Sequence, residues 1–117
     1  MHGMKVFSDL RNMIRLERLH LSFIMTLEDR DIAAQIGYHD VIRGEPLTLK
    51  LLYLLDIGSV ATVQRRLARL VGKGVVLKRR HSGDRRALTL HLSAAARREY
   101  QRFSSALMSH NGHARSK

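Results

Sequence analysis

Between Thr48 and Leu92 the hydrophobic period of the chain changes three times, and the breaks fall at residues that leave little choice of fold. Thr48 can cap a short helix, Leu49 to about Leu55, whose apolar residues crowd together because it is largely buried. Asp56-Ile57-Gly58 supplies a three-residue turn, and Ser59 is a good N-cap for a second helix, Val60 to Lys73. Two helices joined by a Gly-containing turn of this length form a helix-turn-helix. Gly74 ends the second helix where a left-handed backbone is expected. Val75 to Arg80 then reads as a strand, His81-Ser82-Gly83-Asp84-Arg85-Arg86 as a turn, and Ala87 to Leu92 as a returning strand. In that last strand Leu88, Leu90 and Leu92 alternate with Ala87, Thr89 and His91, the period of a strand buried on one face. A hairpin directly after the second helix is a wing.

Projected at about 100° per residue, the second helix has two faces. Val60, Val63, Leu67, Leu70 and Val71 fall on one side, with Thr62, Arg65, Arg66, Arg69 and Lys73 opposite. Nine of the 21 Lys and Arg residues lie between Thr62 and Arg86, beside the single acid Asp84. Residues 1–61 carry 7 basic and 8 acidic side chains, whereas residues 62–117 carry 14 basic and 2 acidic ones. So uneven a split of the net charge of +11 predicts a basic face turned toward a polyanion.

The flanks read as helices. Lys5 to about Thr26 places Phe7, Leu10, Met13, Ile14, Leu21 and Ile24 on an imperfect apolar stripe, and a shorter helix follows from about Glu28 to Ile36. Arg43-Gly44-Glu45-Pro46 is a break. Ser93 caps a final helix, about Ala94 to Ser109, with Ala96, Tyr100, Phe103 and Leu107 as its stripe. The expected fold class is mainly α with a small β-hairpin (α+β): a winged helix-turn-helix with flanking N- and C-terminal helices. One domain over 1–117 would divide into an N-terminal dimerisation or scaffold helix (4–27), a core (28–92), a C-terminal helix (94–109) and a disordered tail (110–117).

From Ser59-Val60-Ala61-Thr62-Val63-Gln64-Arg65-Arg66-Leu67-Ala68-Arg69-Leu70, through Gly72-Lys73-Gly74-Val75-Val76 and Asp84-Arg85-Arg86-Ala87, to Leu92-Ser93, the chain resembles the MarR-type winged-helix transcription regulators. It departs from them at Ser93, where Thr is usual, and at Ala96, where Gly is common. The resemblance implies that helix 59–73 enters the major groove and that the wing, 78–87, reaches the minor groove or backbone. It also implies that Asp84 orients the wing arginines and that Arg86 touches the minor groove or its phosphates. Residues early in such a helix read base edges while later ones grip phosphate. Ser59, Thr62, Gln64, Arg65 and Arg66 are therefore expected at the bases and Arg69 and Lys73 on phosphate, while Lys78, Arg79 and Arg80 are expected on the backbone, unless Arg79 pairs with Asp84, and Arg85 and Arg86 in the wing.

These readings lead to a sequence-specific, double-stranded-DNA-binding transcriptional regulator, a repressor, acting as a cytoplasmic, nucleoid-associated homodimer. A small-molecule effector is neither required nor ruled out by the residues. The alternatives are a winged-helix protein-interaction adaptor or a nonspecific nucleic-acid-binding protein. Base stacking on aromatics is not offered between residues 62 and 86, which contain none. With no Cys and with seven scattered His lacking i,i+4 pairs, neither a metal nor another cofactor is expected. No apolar run approaches the roughly 20 residues of a membrane span, and no Ser/His/Asp or paired-carboxylate arrangement suggests an enzyme.

Overall fold

The structure is a computed structural model that describes the backbone of residues 2–81 and 84–116 and the side chains of residues 3–80 and 87–109. After a 3-10 turn at His2–Met4, helix α1 spans Lys5–His20, α2 Leu27–Gly37, α3 Leu49–Leu54, α4 Val60–Gly72 and α5 Ala94–Ser116. Strands β1 (Leu47–Thr48), β2 (Val76–His81) and β3 (Asp84–Leu92) form an antiparallel sheet in the order β1-β3-β2.

Local side-chain chemistry accounts for most of the boundaries. The Thr26 hydroxyl accepts a hydrogen bond from Asp29 N while the Asp29 side chain accepts from Thr26 N, a reciprocal capping box that opens α2. Thr48 and Ser59 cap α3 and α4 by accepting from Leu51 N and Thr62 N, and Ser93 accepts from Ala96 N. Gly74, with φ of 75°, adopts the left-handed conformation expected of it, so α4 stops and the chain turns into β2. In the turn before α4 the left-handed residue is Asp56, at φ 59°, and not the glycine two positions later.

Three expectations are corrected. First, α1 ends at His20 rather than Thr26, because Leu21 and Phe23 leave the helix to enter the core and Thr26 is needed as a cap. Secondly, α2 passes into a π-helical turn, Tyr38–Arg43, which Gly44 closes at φ 70°, and the two-residue strand β1 was not foreseen. Thirdly, the backbone of α5 runs to Ser116, past its expected end near Ser109. Beyond Ser109 there is no Pro, and each added residue extends the ladder by one hydrogen bond.

The core lies where α2, α3 and α4 meet the sheet. Ile32, Ile36, Leu52, Leu67, Leu70 and Leu90 are fully buried there. Leu47 opposes Leu90 and Val76 opposes Leu92, so one face of the sheet completes the apolar interior. Phe23 meets Tyr100 of α5 edge-on, with ring centroids 5.8 Å apart, which joins the helical arm to this core.

The arm itself is α1 packed along α5. The α1 stripe is only partly what the sequence suggests. Asn12 and Leu16 are its buried residues, while Phe7, Leu10 and Ile14 face solvent. The radius of gyration is 16.1 Å, against about 13 Å for a compact chain of this length, and the longest dimension is 54 Å. No helix of the described residues is long and apolar enough to cross a membrane.

Candidate nucleic-acid interface

Val63, Leu67 and Leu70 anchor α4 on the core, which leaves the beginning of the helix on the surface. There Ser59 and Thr62 form a small hydroxyl cluster, with Ser59 Oγ 3.0 Å from Thr62 Oγ1. Arg65 Nη2 donates back to Thr62 Oγ1 at 3.4 Å. Ser59, Gln64 and Arg65 are exposed, Thr62 is half-buried, and Lys73 is exposed at the far end. A groove-reading helix has this profile: short hydrogen-bonding side chains and one long cation at its first two turns, and a further cation at its last.

Arg66 and Arg69 are placed otherwise than the sequence suggests. Both turn inward to Asp29 on α2. Arg66 Nε donates to Asp29 Oδ1 at 2.7 Å and its Nη2 to Oδ2 at 2.6 Å, a two-armed pairing. Arg69 Nη1 donates to the Phe23 carbonyl at 2.7 Å and reaches Oδ2 of the same carboxylate at 3.3 Å. Their side chains keep only 23% and 21% of their exposure, and that of Asp29 keeps none. The geometry of the helix is the reason. Arg66 lies three residues after Val63, about 60° round the axis from it, so it sits on the flank that α2 covers.

Asp29 is the residue that sequence reasoning missed. Its carboxylate accepts from Met25 N and Thr26 N as well as from the two arginines. Burial alone would raise its pKa. The Arg66 hydrogen bond, the backbone donors and the Arg66 charge outweigh that and hold it below the ordinary carboxylate value. Arg66 is in turn held more firmly protonated, chiefly by its hydrogen bond to Asp29. The Thr26-Leu27-Glu28-Asp29 spacing was a readable signal for a cap, but it carried no hint of partners on α4.

On the hairpin, Lys78, Arg79 and Arg80 are exposed along β2. The register sets Lys78 opposite Leu90 and Arg80 opposite Leu88, on one face, with Arg79 opposite Thr89 on the other. The Arg79 carbonyl accepts from Thr89 Oγ1 at 3.3 Å. Asp84, Arg85 and Arg86, expected to act at the wing tip, have side chains outside the described residues.

A capped helix seated on a three-helix core, exposed at its first turns and followed by a β-hairpin with cations on its leading strand, defines a winged helix-turn-helix. Several solved structures share this fold. A point mutant of S. aureus MepR, solved bound to an oligodeoxyribonucleotide, superposes with a TM-score of 0.77 at 16% identity, covering 99% of this chain and 80% of that one. The transcriptional regulator Tm0710 of Thermotoga maritima matches with a TM-score of 0.74 at 16% identity, over 98% and 78% of the two chains. A cysteine-to-serine mutant of MarR from E. coli, complexed with operator DNA, gives 0.59 at 19% identity over 90% and 72%. At these identities the likeness is one of fold. No protein-family model matches the chain, and no curated protein matches it.

Proposed function

We propose that this chain is a sequence-specific, double-stranded-DNA-binding transcriptional regulator that works as a homodimer and represses by occluding a promoter. The observation that carries this reading is the exposed start of α4, where Ser59, Gln64 and Arg65 stand outward beside Thr62 and next in sequence to a hairpin whose β2 exposes Lys78, Arg79 and Arg80. Two proteins of the same fold were solved with DNA, one of them with operator DNA, which supports duplex DNA as the partner of this chain. Ser59, Thr62, Gln64 and Arg65 would meet base edges, and Lys73, Lys78, Arg80, Asp84, Arg85 and Arg86 would form or orient the backbone grip.

The dimer would form through the arm. Phe7, Leu10 and Ile14 of α1 are exposed at 64%, 43% and 41%, and they line an open, mainly apolar groove with Arg11, Arg15 and Leu19. Exposed apolar area gathered on one helix face favours burial against a like surface, and two-fold pairing is the commonest way to achieve it. Two reading helices related in this way would address half-sites spaced by about one helical turn, roughly 34 Å, or a multiple of it.

The test is selection of duplexes from a random pool by the purified protein. An enriched palindromic motif, bound about 10³-fold or more tightly than a scrambled duplex, is expected. Equal affinity for both duplexes would leave a nonspecific nucleic-acid binder, and no DNA affinity would leave the adaptor reading.

A further inference from the structure

Two arginines of the reading helix are spent on a single buried carboxylate, and the cost to the DNA grip is plain. Arg66 and Arg69 lie on the turns of α4 between Arg65 and Lys73, so free guanidiniums there would stand beside the proposed DNA surface. Asp29 instead takes both arms of Arg66 and one of Arg69, and the Phe23 carbonyl takes Arg69 Nη1 more tightly still.

We infer that Asp29 is a specificity-determining residue, which withholds Arg66 and Arg69 from DNA phosphate so that affinity depends on the outward side chains that can tell one base from another. The inference rests on the DNA-binding reading above and deepens it. Phosphate contacts strengthen binding to every sequence alike, because each displaces condensed counterions whatever the bases are. A regulator with two further cations on its reading helix would bind more of the genome more tightly and distinguish its own site less. The carboxylate that prevents this never reaches the surface. It acts by position, and its second role as cap of α2 means that the same side chain sets where the arginines are held.

The experiment compares wild type with Asp29→Asn, using the duplex enriched by wild type and a scrambled duplex of equal length, each titrated between about 50 and 200 mM salt. Asn keeps the size of the side chain and an oxygen for the cap. It loses the charge and sets amide protons against the guanidinium donors. Two released arginines should steepen the log-affinity against log-salt slope by about 2, so that affinity falls about tenfold more across this range. Affinity for the scrambled duplex should rise at the low-salt end, and discrimination should shrink.

The companion variant, Asp29→Asn with Arg66→Met and Arg69→Met, removes the ionic cluster as a whole, a change that buried ion pairs often tolerate. It should bind with the wild-type slope and discrimination, and it answers the question even if the single variant does not fold. A slope reduced by about 1 to 2 in this variant would show that the arginines do hold phosphate in the complex, which overturns the inference. So would Asp29→Asn that binds with an unchanged slope, whether weakly or well. In both cases the DNA-binding reading survives, whereas wild type that prefers no duplex removes both.

Discussion

Asp40 and Arg97, 57 positions apart, meet at 2.8 Å between Oδ2 and Nη2, and the contact ties the π-helical turn to the first turns of α5. The same carboxylate accepts from Leu92 N at 3.1 Å and lies 3.1 Å from His91 Nδ1. One side chain thus joins the end of α2, the end of β3 and the start of the arm, where the winged helix-turn-helix passes into α5.

This junction should make the protein acid-sensitive. Burial pushes the Asp40 pKa up, but the hydrogen bonds from Arg97, His91 and Leu92 N and the Arg97 charge outweigh it, and the net direction is down, as at Asp29. A depressed carboxylate binds its proton more weakly folded than unfolded. Its contribution is therefore complete above the unfolded value of about 3.9 and is lost as pH falls through the lower folded value. Urea midpoints measured down to about pH 3 should show this loss, and Asp40→Asn should flatten part of it. A variant as acid-sensitive as wild type would count against the assignment.

Arg65→Ala should weaken binding to the selected duplex while leaving the thermal midpoint where it was, because Arg65 is exposed and its described hydrogen bond runs only to Thr62. Removing a side chain that reads a base should relax specificity at one position and cost about 1–3 kcal/mol there, which competition between single-base variants of the duplex would measure. Arg66→Ala should do the reverse at the level of folding and lower the midpoint, since it takes the two-armed partner from the buried Asp29 carboxylate and leaves only Arg69 at 3.3 Å to balance its charge.

The seat of α4 is apolar. Leu67 is 1% exposed, and its truncation to Ala should cost about 2–5 kcal/mol, read from urea unfolding, as expected when a fully packed leucine leaves a void. Gly74→Ala should cost about 1–2 kcal/mol for a different reason: nothing lies within 4 Å of an added Cβ, so the penalty comes from the left-handed backbone alone.

Leu10→Glu with Ile14→Glu should yield a folded monomer. Both residues are exposed in the single chain, so circular dichroism should be unchanged while sedimentation shifts from dimer to monomer. DNA affinity should fall with the dimer, because two tethered half-site contacts reinforce each other. A wild-type chain that sediments as a monomer at micromolar concentration would remove the dimer from the proposal.

The helix-turn-helix and its hairpin could be read from the chain because their signals are local. Thr48, Ser59 and Ser93 satisfy amides three residues away, Gly74 provides the conformation its own backbone needs, and the alternation of Leu88, Leu90 and Leu92 follows from the pleat of one strand. Periodicity also identified which side of α4 is apolar. It could not say what lies along the flank of that helix, and this is where the structure departs from the outward placement expected of the arginines. Arg66 and Arg69 look like Arg65 in the sequence, yet their partner Asp29 is 37 and 40 positions away and is brought to them only when α2 packs on α4. The same limit hid Asp40 as a junction, and it could not say which residues of the α1 stripe the single chain buries and which, like Phe7, Leu10 and Ile14, it leaves in water. A side chain's chemistry is written in its own residue and near neighbours. Where a charge ends up depends on which distant element folds against it.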